Sequence, residues 1–180
     1  MEHYVWMDME MTGLNPQRDQ ILEIATIITD TDLNVVKQLN TITIGHDVDN
    51  LSFNFAEGTE KKFIEYFHDS DLLDRVQNST TTIEEAEKYL LENISENCEA
   101  QQCCLAGNSI WCDAAFLREF FPSVEKYLHY RLLDVSTIKM LKRAWYPELP
   151  ELEKEETHDA LNDILVSIEE LKYYREHIFK

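Results

Sequence analysis

Two carboxylates interrupt an apolar run near the start of the chain: Asp8 and Glu10, in the stretch VWMDMEMTGL from Val5 to Leu14. On a strand, residues two apart point to one face, which would hold these charges roughly 6–7 Å apart. Like charges at that distance repel by about 2–3 kcal/mol at an effective dielectric of about 20. Water, a basic side chain or a metal ion has to compensate.

Three further residues have the chemistry to join them. Asp113 begins a predicted helix after an apolar segment, and His158 and Asp163 lie around the start of the last one. His158 and Asp163 are separated by about 140° round an ideal helix, so they converge only if His158 sits in or just before the first turn. Singly, each residue has an ordinary explanation. Asp113 suits a helix cap, Asp163 complements a helix macrodipole, and His158 suits an exposed first turn. Asp8 and Glu10 could form the wet face of an edge strand, although Trp6 and the flanking Met residues argue for burial.

The elements that would position these side chains follow from hydrophobic spacing. After the first strand, Gly13 and Asn15-Pro16 mark a turn. β-Branched runs at 20–29 and 34–44, joined by Asp30-Thr31-Asp32, predict an antiparallel hairpin. Two short helices are expected from EKKFIEYFHDSDLLDRV, the second capped by Ser70. Thr81 and Thr82 each precede a Glu by three residues, a capping-box arrangement opening a longer helix. QQCCLAGN (101–108) reads as a strand, CDAAFLREFF as a helix stopped by Pro122, RLLDVS as a strand and STIKMLKRAW as a helix. An acidic loop begins at Pro147 and Pro150. The final helix carries a stripe of Leu161, Ile164, Leu165, Ile168, Leu171 and Tyr174. Antiparallel strands followed by alternating helices and strands predict an α/β protein with helices on both faces of a mixed sheet.

The chain has 180 residues, 44% of them hydrophobic, which suits a single domain over 1–180 with a full core. No apolar run approaches the ~18–20 residues of a membrane span. The N-terminus has no basic region followed by an apolar one, so a cytoplasmic protein is expected. Cys98, Cys103, Cys104 and Cys112 show no paired ligand spacing and read as reduced structural thiols. The formal net charge of −19 argues against a basic groove for long duplex nucleic acid. It leaves room for a ligand with few phosphates, held by metal ions and a local cation.

In chain order, Asp8-Met9-Glu10, Asp113 and HDALND from His158 to Asp163 resemble the DEDDh exonucleases of the ribonuclease-H-like superfamily. Together with DMEMTGLNPQRDQILEIATIITD, AGNSIWCD, HYRLLDVST and ELKYYREHIFK, the set is most similar to the oligoribonucleases, from about residue 4 to 180. The resemblance implies a ribonuclease-H-like sheet, antiparallel first and then parallel. It implies 3′-to-5′ hydrolysis of very short RNA to 5′-mononucleotides, with two divalent ions, Mg²⁺ or Mn²⁺, held by Asp8, Glu10, Asp113 and Asp163. His158 would act as general base. Leu14 would wedge against the bases, and Phe63, five residues before His68, falls where the family usually has a stacking Trp. Ser109, Arg131, Ser136 and Thr137 would cap the 5′ phosphate. Tyr130 would reach the cap of a partner subunit, implying a homodimer. Two alternatives stay open: trimming or proofreading of longer strands by the same site, and an inactive nucleic-acid-binding module on the same fold.

Overall fold

The protein is described here by a computed structural model covering residues 2–55, 67, 70–152 and 159–179. Its frame is a six-stranded mixed sheet. Strands β1 (His3–Met11) and β2 (Ile21–Asp30) form a long antiparallel pair, and β3 (Val35–Gln38) and β4 (Ile42–Thr43) both pair with β2. On the other side of β1 run β5 (Cys103–Gly107) and then β6 (His129–Asp134), both parallel to it. The order β3-β2-β1-β5-β6 makes β1 the middle strand and β6 a free edge. The run expected as one strand over 34–44 is broken. Leu39 turns inward and its N–H bonds Thr26 O at 3.0 Å, before pairing resumes at Ile42 opposite Ile24.

Helices follow as α1 (Leu72–Asn78), α2 (Ile83–Asn97), α3 (Trp111–Phe120), α4 (Pro122–Tyr127), α5 (Val135–Trp145) and α6 (Ala160–His177). Thr82 opens α2 with a complete capping box, its hydroxyl accepting from Glu85 N while Glu85 returns the bond to Thr82 N. Ser70 does not cap α1. Its hydroxyl turns back to Phe67 O, and the position before the helix is Asp71, at φ 57°, with its carboxylate on Arg75. Pro122 both ends α3 and begins α4, because its fixed φ suits a first helical position.

The alternation of β1 assigns its side chains to two cores. Val5, Met7 and Met9 pack with α2, α3 and α4 on one face. Trp6 lies on the other, with Ala25, Ile27 and the buried face of α6: Ala160, Ile164, Ile168, Leu171 and Tyr174. That face differs from the expected stripe. Leu165 is 40% exposed, while Ser167 and Glu170 are buried in its place. Asp8 and Glu10 share the Trp6 face of β1, and α6 begins over them.

Candidate active site

β1 outruns its parallel partner. Pairing with β5 ends at Trp6 opposite Ala106, so the next N–H groups on that edge need other acceptors. Asp113 supplies one: its Oδ1 accepts from Met9 N at 3.1 Å. Asp113 thus lies inside the first turn of α3, after Ile110, rather than at its cap, and is 4% exposed. Its carboxylate binds β1 between Asp8 and Glu10. Gly107 allows the close approach at the end of β5, where a Cβ would meet Met7 O at 3.0 Å and Ile110 Cδ1 at 2.9 Å.

From α6, Asp163 comes to the same point. Among the described residues, oxygen atoms of Asp8, Glu10 and Asp163 all lie within 4.8 Å of one another. Burial pushes the Asp8 carboxyl well above the usual range, and Asp113, Glu10 and Asp163 push it further. Glu10 is raised to about 8 by burial, then by Asp163 and Glu23. Burial raises Asp113 to about 7 against the opposing pull of its N–H donors. Three hard oxygen donors brought together fit a divalent cation.

A polar pocket lies where β5 and β6 end. Ser109, at φ 51°, donates its N–H to Ser136 Oγ at 3.0 Å and Asp134 Oδ1 at 3.1 Å, and the two serine hydroxyls are 3.3 Å apart. Thr137 is exposed beside them. Asp134 caps α5. Arg131 stands on β6, upstream of α5. It starts three residues before Asp134, about 10 Å back along the strand, and its guanidinium lies 5.0 Å from the centre of the Tyr130 ring. Tyr130 is 76% exposed on the free edge. Leu14 is 62% exposed at the tip of the turn after β1. His158, Phe63 and His68 lie outside the described residues.

The sequence reading passed over several residues around the site. Glu23 stands opposite Glu10 on β2, bonded by Thr43 Oγ1 and Arg75. Asn108 and Glu170 join β5 to α6. A Glu facing another across a strand pair was a usable signal; Asn108 and Glu170 gave none.

The carboxylate cluster at the end of the middle strand suits a divalent cation, and the exonuclease family RNase_T matches residues 5–171, which makes the protein a metal-dependent exonuclease. The fold recurs in exonuclease I of Methylocaldum szegediense, with a TM-score of 0.73 and 20% identity over 100% of this chain and 42% of that one. A zinc-bound complex of E. coli exonuclease I with single-stranded DNA gives 0.75 and 15%, again over 100% and 42%. This chain spans about two fifths of those longer proteins, which share its ribonuclease-H-like fold. Relatives of its own size are nearer. It is 44% identical over 176 residues to the Dictyostelium discoideum protein named "Probable oligoribonuclease", covering 98% of this chain and 90% of that one. With the oligoribonuclease of Chromobacterium violaceum it shares 42% over 177 residues, 98% and 95% of the two chains. The chain belongs to the oligoribonuclease family.

Proposed function

We propose that the protein removes 5′-mononucleotides from the 3′ end of very short RNA, down to dinucleotides, by metal-assisted phosphodiester hydrolysis. The convergence of Asp8, Glu10 and Asp163 carries this reading. In it these three carboxylates hold two divalent ions, Mg²⁺ or Mn²⁺, and Asp113 contributes from its bond to Met9 N. Such ions, when bound, stabilise charge on the phosphoryl group and acidify water. His158, five residues before Asp163, takes the proton of the attacking water as general base.

Ser109, Ser136 and Thr137 receive the 5′ phosphate, with Arg131 supplying charge, and Leu14 fills the space against the bases. Phe63 and His68 serve the base side, a Phe offering a smaller stacking face than a Trp. A homodimer accounts for the free β6 edge and the exposed apolar residues Tyr130, Leu132, Met140 and Trp145. In it Tyr130 reaches the partner subunit. Four buried free thiols suit the reducing cytoplasm. Among the described residues no helix is long and apolar enough to cross a membrane.

The net charge of −19 favours short substrates over long polyanions. Purified protein with Mg²⁺, Mn²⁺ or chelator, given a 5′-labelled length series of RNA, tests the whole reading. Metal-dependent release of mononucleotides, fastest on the dinucleotide, is expected. Turnover in chelator, or preference for long strands, overturns it.

A further inference from the structure

Between the serine pocket and the carboxylate cluster runs a chain of hydrogen bonds whose direction the chemistry fixes. Asn108 follows the last residue of β5. Its Nδ2 donates to Ser167 Oγ at 2.7 Å and to Glu170 Oε2 at 3.3 Å. Ser167 Oγ donates its own hydrogen bond to Asp163 O, also at 2.7 Å. On the other side, Asn108 Oδ1 accepts from Ser136 Oγ at 3.0 Å. Ser136 Oγ in turn accepts from Ser109 N.

Glu170 makes this orientation the only good one. It is 1% exposed, receives Tyr174 OH at 2.7 Å and stands 3.5 Å from Lys139 Nζ. A buried carboxylate accepts and cannot donate, so a flipped Asn108 amide would set its oxygen against Glu170 and its NH₂ against the Ser136 proton. Held this way round, the amide binds one end of the site to the other. Asp163 is tied through its own carbonyl, and Ser136 through its hydroxyl.

We propose that Asn108 is a positioning residue that fixes the separation between the Ser109–Ser136 pocket and Asp163, and so makes the dinucleotide the best-fitting substrate. The proposal rests on the 5′-phosphate reading of that pocket. A dinucleotide must touch both ends at once, and its binding depends on their spacing. A longer oligomer whose 5′ end lies beyond the pocket does not depend on it. Asn108 touches no substrate in this scheme; it acts through Ser136 and Ser167.

The test compares N108D with the unaltered protein on a 5′-phosphorylated dinucleotide and a 5′-phosphorylated pentanucleotide. N108D keeps the shape and replaces two donors with a charge facing Glu170. We expect kcat/KM on the dinucleotide to fall about tenfold or more, mostly through KM, with the pentanucleotide within about threefold. Adding E170Q, which offers an amide to the new carboxylate, should recover part of the dinucleotide KM. S167A cuts the same link from the helix side without touching Asn108, and should lower the dinucleotide selectively even if N108D folds poorly. Equal losses on both lengths, or none, in N108D and S167A overturn the proposal. S136A separates the two layers. If it too leaves the dinucleotide preference intact, the pocket reading fails. If it abolishes the preference while N108D and S167A keep it, only the positioning role fails.

Discussion

The carboxylates on β1 and the one in the turn after it have opposite fates. Asp19, fully buried in the turn after β1, accepts from Asn15 N at 2.9 Å, Asn54 Nδ2 at 2.8 Å and Arg18 Nε at 3.0 Å. Burial alone would raise its pKa, but these donors outweigh it and hold the carboxyl below its usual value. Asp8 and Glu10 are half-buried, and there burial and neighbouring acids all push upward. The chain completes the first acid from within and leaves the others to be completed from outside. A buried carboxylate supplied with donors is part of the scaffold; one surrounded by its own kind is a place for cations. The two are joined in space, since the turn that Asp19 pins also presents Leu14. A Cβ on Gly13 would meet Asp19 Oδ2 at 2.3 Å, so the turn closes only around a glycine.

The sharpest way to break this contrast is to neutralise one acid of each kind. Asp8→Asn should lower kcat on a dinucleotide by about 10³-fold or more, while the melting temperature of the metal-free protein holds or rises as a repulsion is lost. A fall in that melting temperature would mean that Asp8 is structural after all. Asp19→Ala should do the reverse, costing about 2–3 kcal/mol in denaturant unfolding as buried donors lose their acceptor. Its metal-induced stabilisation should survive.

A smaller effect concerns pH. Glu10, raised to about 8, and Asp113, raised to about 7, keep protons in the native state that the unfolded chain has already lost. The native state binds more protons between the usual carboxylate range and those values, so metal-free stability should fall as pH rises through that window. Divalent ions replace the protons. Mn²⁺ should therefore raise the melting temperature more at about pH 8.5 than at about pH 6. A shift independent of pH would separate ion binding from these acids. The smallest effect belongs to Thr82→Ala, which should cost about 1 kcal/mol through the lost cap and leave dinucleotide turnover unchanged.

Much of this was legible in the sequence where local rules decide the outcome. The alternation of β1 put Asp8 and Glu10 on one face, and the Thr82 capping box was readable from its spacing. Long-range decisions were not. Asp113 bonds Met9 N, 104 residues away, because β1 outruns β5 and leaves that N–H without a strand partner. Glu170 and Ser167 fall outside the apolar stripe of α6, since apolar periodicity cannot reveal a polar group whose partner lies on another element. Leu165 was assigned inward for the same reason: the spacing admits several faces, and only packing chooses among them.

Asp8 and Glu10 stand on β1, whereas Asp163 stands on α6, far along the chain. A nascent chain leaving the ribosome therefore exposes Asp8 and Glu10 while everything between β1 and α6 is being made. A ribosome-bound fragment ending before α6 lacks the carboxylate cluster. Nuclease activity arrives with that helix.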